Sequence, residues 1–153
     1  ELSFALLLKR LARYEEAAEH LHKVIGREDF KSLISYGNID KPLVDVYFRR
    51  EIEALGGSVV IPILVLAVYE LILTLMKLNQ IEKAQKFALF LERVVEEYPL
   101  ETCGDLITYS MAGYAYMIIG NKEKAAEIFV SVLEGYPRYP PATEALESLC
   151  MYI

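Results

Sequence analysis

The sequence predicts an all-α chain of antiparallel helix pairs stacked as an α-solenoid. Three observations carry this. Apolar residues recur at helical spacing along most of the chain, the breaks between periodic segments are short, and one turn motif returns three times. No stretch alternates at period two for long enough to argue for a sheet, and the β-branched residues sit inside helical spacing. The length of 153 residues bounds the chain to one domain or one repeat array, and 54% hydrophobic residues supply a core.

Residues 2–11 and 14–25 read as a short helix pair around the Ala12-Arg13 break, closed by Gly26. Residues 28–57 are less regular and read as a degenerate pair. A short helix is expected over 29–36, followed by the Gly37-Asn38 break. A second is expected from the Asp40 cap, with Pro42 in its first turn, to about Leu55. Gly56-Gly57 stops that helix and Ser58 caps the next. Long helices are then expected over 59–78, 81–98, about 100–119 and 122–134, with a terminal helix from Ala142 to the end. Their breaks are Asn79-Gln80, Pro99, Gly120-Asn121 and the Tyr136 to Pro141 segment.

The turn motif is Leu11-Ala12-Arg13-Tyr14-Glu15-Glu16-Ala17, Leu78-Asn79-Gln80-Ile81-Glu82-Lys83-Ala84 and Ile119-Gly120-Asn121-Lys122-Glu123-Lys124-Ala125. Ala84 and Ala125 are 41 residues apart, and Ala17 lies 67 before Ala84, close to two periods of about 34. The fullest repeat reads Tyr109-x2-Ala112-Gly113-x2-Tyr116, Gly120, Ala125-x3-Phe129, Pro137. It resembles the tetratricopeptide repeat (TPR) pattern, with Tyr109 for Trp and Ala112 for Leu. Gly113 and Ala125 are expected to face each other where the helices cross, with Phe129 and Tyr116 filling the space beside them. The Tyr-Pro steps at 98–99, 136–137 and 139–140 further resemble cell-envelope repeats of the Tol-Pal accessory type. Ile72 departs from the family, which has a small residue there.

The resemblance implies a right-handed solenoid divided as 1–27, 28–57, 58–98, 99–137 and a terminal helix over 138–153. Its first helices would line a concave face that holds an apolar peptide, a partner helix or a second copy of the chain. Carried over position by position, the partner-binding residues are Lys9 and Arg10, then Tyr69, Leu73, Met76 and Lys77, then Tyr114, Met117 and Ile118. Met and Tyr suit such an adaptable surface. The family's carboxylate-binding version needs Asn where this chain has Glu70 and Met111, so capture of a chain-terminal carboxylate is not expected.

Charge and motif content exclude other classes. There are 16 basic against 22 acidic residues: nine against ten up to Gly57, and seven against twelve beyond it. Such a chain lacks the basic stripe that nucleic acid requires. Cys103 and Cys150 have no ligand-spaced neighbours and read as small core residues. His20 and His22 point to different helix faces, and Glu15-Glu16 and Glu96-Glu97 read as solvated. The Arg49-Arg50 doublet is expected to pair with Glu53 or Asp45, with docking of an acidic partner as the alternative. With no phosphate loop and no nucleophile motif, neither enzymatic activity nor a cofactor or metal is expected. No signal peptide is visible, and a cytoplasmic location is expected.

Residues 59–76 are broken only by Pro62, Glu70 and Thr74, a run close to the roughly 20 residues that cross a bilayer. Its Glu70, at roughly 2.5–3.5 kcal/mol in a lone span, and the soluble-type helix expected after it favour a buried repeat helix. A hydrophobic membrane anchor over 59–76 is the alternative.

Overall fold

The computed structural model describes residues 2–27, 33–37, 44–97 and 103–150, with side chains in the last of these from 106 onward. Among them the chain is mostly helical: α1 (Leu2–Arg10), α2 (Tyr14–Arg27), α3 (Val46–Ala54), α4 (Ile63–Lys77), α5 (Ile81–Glu96), α6 (Cys103–Ile118), α7 (Lys122–Gly135) and α8 (Pro140–Cys150). Two short strands, β1 (Leu33–Gly37) and β2 (Ser58–Pro62), pair antiparallel with Tyr36 opposite Val59 and Ile34 opposite Ile61.

The three copies of the turn motif fold alike. Ala12, Asn79 and Gly120 all take the left-handed conformation, at φ 60°, 59° and 89°. In each turn the next amide reaches back five residues: Arg13 N to Leu8 O, Gln80 N to Leu75 O and Asn121 N to Tyr116 O, all at 2.9 Å. This bond pattern satisfies carbonyls that a helix end would otherwise leave open, and reverses the chain within two residues. Ala17, Ala84 and Ala125 follow at the same distance from each turn, and each is fully buried.

The helices pack in chain order: α1 on α2, α4 on α5, α5 on α6, α6 on α7 and α7 on α8. The exception is informative, because α2 packs directly on α4. The expected degenerate helix pair over 28–57 is therefore not interposed. Residues 33–36, expected to be helical, form β1, which pairs with β2, and β2 and α3 lie to one side against α4, α6 and α8. Period two is visible in its burial, with Val59 and Ile61 inside and Val60 half exposed. Helix α3 begins later than expected. Asp45 is its cap, accepting from Phe48 N at 3.1 Å, whereas the Asp40 and Pro42 signal lies outside the described residues.

The apolar run divides at Pro62 into β2 and α4. Helix α4 buries eleven residues, from Leu64 to Leu75, because α2, α5, α6 and β2 surround it. Among the described residues no helix is long and apolar enough to cross a membrane.

A Cβ on Gly113 would stand 2.7 Å from the Phe129 ring, whose atoms are its three nearest neighbours, so the glycine makes room for that ring. One smaller expectation is corrected. Cys150 is exposed instead of buried, since it falls on the outer face of α8. The Cys103 side chain and the Tyr98-Pro99 step lie outside the described residues.

Candidate functional site: a groove between three helix ends

The ends of α1, α4 and α6 enclose a concavity of about 490 Å³. Its apolar lining is Leu6 of α1, Leu73 and Met76 of α4, Ile118 of α6 and Val44 ahead of α3. Lys9 and Arg10 from the last turn of α1 and Lys77 from the last turn of α4 supply cations, and Tyr14 and Asp45 complete the wall. The turn motif terminates α1, α4 and α6, and basic residues of two last turns, Lys9 and Arg10 of α1 and Lys77 of α4, line the concavity together with Ile118 at the end of α6. Cations are also favoured there by the negative ends of the helix dipoles.

Among the residues expected to bind a partner, Lys9, Arg10, Leu73, Met76, Lys77 and Ile118 thus come together around one groove. Met117 does not line it and is half-buried against the core. Tyr69 and Tyr114 are not groove residues either: both are buried in the interior. The reason is α3, which lies over them. Tyr69 Oη donates to Asp45 Oδ2 at 2.7 Å and Tyr114 Oη donates to Glu51 Oε1 at 2.8 Å. Tyr47 stacks on Tyr114 with ring centroids 4.7 Å apart. Phe48, between the two acids, and Ile52, one residue beyond the second, are completely buried.

Electrostatics follow from this burial. Glu51 is enclosed by α3 and α6, and loss of solvent pushes its carboxyl up to about 8, even though Tyr114 and Ser110 favour the ionised form. It is a neutral acid at pH 7. Burial, with Asp45 beside it, raises the Tyr69 phenol well above its ordinary value. Burial and Glu51 do the same to Tyr114. Glu70 is also fully buried and shifted upward by desolvation, with Lys9 opposing. Lys9 Nζ is bonded to Glu70 Oε2, so this cation is engaged across the groove edge and is not free to meet a ligand. No ion pair or hydrogen bond of the Lys77 side chain occurs among the described residues.

Away from the groove, Glu92 of α5 accepts from Tyr116 Oη and from Lys124 Nζ, the latter at 3.0 Å, tying α5, α6 and α7 together. His20 is half-buried with its ring edge-on to Phe4, and His22 is exposed beside Phe87. Among the described residues no group of three or more His, Cys, Asp or Glu could hold a metal ion. Arg50 pairs with Glu144 of α8 at 3.8 Å, and Arg49 Nε donates to Val44 O at 3.0 Å. These contacts help hold α3 in place, and neither is the expected pairing with Glu53 or Asp45.

The sequence reading missed Leu6, Tyr14, Val44 and Asp45 in the groove, and Glu51 beneath α3. The available signal was the spacing Asp45-x2-Phe48-x2-Glu51-Ile52, which puts two acids and two apolar residues on one helix face. Comparison of the chain with protein-family models and with curated proteins gives no match.

Proposed function

We propose that this chain is a non-enzymatic protein-interaction module, a TPR-like α-solenoid that buries an apolar segment of another protein in the groove between α1, α4 and α6. The observation that carries the reading is the groove itself. Its volume of about 490 Å³ lies within the roughly 300–1,000 Å³ of small binding sites. An apolar floor offers burial, and Lys77 offers a cation to an acidic residue in the bound segment. The three equivalent turns and the packing of helices in chain order support the repeat assignment.

The test is a random-peptide display selection on the immobilised chain, followed by binding to a Leu73→Asp, Met76→Asp double variant. Selected peptides are expected to be apolar with at least one acid, and to bind the folded variant at least about tenfold more weakly, as each buried methylene is worth about 0.8 kcal/mol. Equal binding to a variant with unchanged helical circular dichroism would remove the groove from the account. A second copy is the alternative occupant. It is favoured by Phe4 and Leu7 of α1 and Leu11 just beyond it, all three exposed. Light scattering over about a hundredfold range of concentration separates the two, since only the second reading gives a dimer.

A further inference from the structure

Beyond its apolar floor, the groove has a polarity that restricts what it can hold. Asp45 already accepts at both oxygens, Oδ1 from Phe48 N at 3.1 Å and Oδ2 from Tyr69 Oη at 2.7 Å. Lys9 is committed to Glu70, and Arg10 has an interaction of its own. Among the described residues this leaves two unengaged polar groups in the wall: the exposed Lys77 ammonium in the last turn of α4 and the hydroxyl of half-buried Tyr14. An ammonium only donates, and a phenol donates readily. Three cations, Lys9, Arg10 and Lys77, stand against two acids, Asp45 and the Glu70 behind Lys9. The groove therefore carries one formal positive charge in excess, on a chain whose formal net charge is −6. The complement of such a wall is a carboxylate.

The positive groups also lie at one end. In α1 Leu6 precedes Arg10 by one turn, and in α4 Leu73 precedes Lys77 by one turn. Tyr14, which opens α2, lines the groove and shares a second hollow of about 310 Å³ with Leu78, so it stands at the end of α4 where Lys77 is.

We infer that the groove captures the first turn of an amphipathic helix of a partner protein, with an aspartate or glutamate of that turn held by Lys77 and Tyr14 and the apolar residues that follow it buried against Leu6, Leu73, Met76 and Ile118. The pattern is acid-x3-apolar-x2-apolar. The inference rests on the groove being the binding site, and adds the identity and direction of its occupant. A helix suits these walls better than a strand. Among the described residues no part of β1 or β2 lines the groove, and the backbone groups of α1, α4 and α6 are spent within the helices. An extended peptide would find no main-chain partners there, whereas a helix brings its own. Direction follows from the dipoles. The last turns of α1 and α4 present their negative ends to the groove, and these attract the positive start of a helix. An acid in that first turn is stabilised both by its own helix and by Lys77. The one-turn offset between apolar residue and cation on α1 and α4 sets the equal offset between acid and first apolar residue in the partner, and the second apolar residue follows from the helical period.

The probes are alanine-based helical peptides, acetylated at the start and labelled with fluorescein at the carboxyl end. One carries Glu-x3-Leu-x2-Leu from its first turn, one has Lys in place of that Glu, and one has the order reversed, so that Glu falls in the last turn. Each is titrated into the full chain and followed by anisotropy. The first is expected to bind at least about fivefold more tightly than either of the others. Lys77→Glu, at an exposed position, is expected to invert the preference between the Glu and Lys peptides, and Tyr14→Phe to weaken binding of the Glu peptide at least about twofold. Equal binding of the Glu and Lys peptides, or unchanged binding in both variants, overturns the acid anchor. Equal binding of the forward and reversed peptides overturns the direction. In either case loss of binding to the Leu73→Asp, Met76→Asp chain shows that the groove itself still stands. No binding of any probe to the unaltered chain overturns the choice of a helix, and the display selection then decides separately whether the groove binds at all. Decanoate competing as strongly as the unlabelled Glu peptide assigns the groove to a free apolar carboxylate, and a dimer of the unaltered chain that excludes the probe assigns it to a second copy; both overturn the choice of a partner helix.

Discussion

Glu51 makes the stability of this chain depend on pH in a direction opposite to that of most salt-bridged carboxylates. Its folded-state value of about 8 stands above the ordinary 4.5 because desolvation outweighs the hydrogen bond from Tyr114. A raised folded value means that the native chain keeps a proton which the unfolded chain releases. The resulting stabilisation is complete below about pH 4.5, is lost as pH rises from there towards 8, and is gone above it. At about 1.4 kcal/mol per unit, the difference between pH 5 and pH 9 is roughly 4 kcal/mol. Glu70 is shifted in the same direction, so the perturbation must isolate Glu51. Glu51→Gln does so by replacing a neutral acid with a neutral amide of the same shape. Urea unfolding of both chains from about pH 5 to about pH 9 should show the unaltered chain losing roughly 4 kcal/mol more than the variant. Parallel pH profiles would refute the reasoning, and would mean that Glu51 is ionised and solvated in the folded chain.

Two further predictions concern the repeat geometry. Gly113→Ala gains about 1 kcal/mol of helix propensity, but its Cβ would stand 2.7 Å from the Phe129 ring and overpacking costs about 1–3 kcal/mol. The substitution should therefore destabilise the chain in urea unfolding, and should become stabilising when Phe129→Leu clears the space. Ala12 occupies the left-handed position of the first turn at φ 60°, where a side chain costs about 1 kcal/mol. Ala12→Gly should raise stability by about 0.5–1 kcal/mol and Gly120→Ala, at the equivalent place in the third turn, should lower it by a similar amount, both read as shifts in the unfolding midpoint.

What was legible in the sequence was whatever depends on local chemistry. The turn motif announced where α1, α4 and α6 end, and of the residues that the repeat resemblance assigned to one face, Lys9, Arg10, Leu73, Met76, Lys77 and Ile118 line one groove. The strand pair was not legible. Val59-Val60-Ile61 is an apolar run that reads equally as strand or buried helix, and its partner Leu33–Gly37 is too short for its alternation to register. The misplacement of Tyr69 and Tyr114 follows from the same blind spot. Both occupy inward positions on α4 and α6, but only the long-range packing of α3 decides that they are covered. Asp45 and Glu51 were the residues that could have shown it, since two acids on the apolar face of a helix need donors from elsewhere.

The apolarity of α4 is then explained by position. A helix at the rim of a stack needs one apolar stripe, but α4 has α2 on one side, α5 and α6 on others, and β2 along its start. Every direction is occupied, and hydropathy all round is what such a site requires. The polar groups it does bury are each tied to that environment: Glu70 is matched by Lys9 from α1, Thr74 Oγ1 donates back to Glu70 O at 2.7 Å, and Tyr69 reaches Asp45. Removing Lys9 alone would strand a carboxylate in the core, whereas a bilayer-facing segment would have no use for a lysine on a neighbouring helix. The pairing of Glu70 with Lys9 therefore ties the most hydrophobic segment of the chain to the edge of the proposed groove, where Lys9 stands in the wall with its charge already committed to a buried acid.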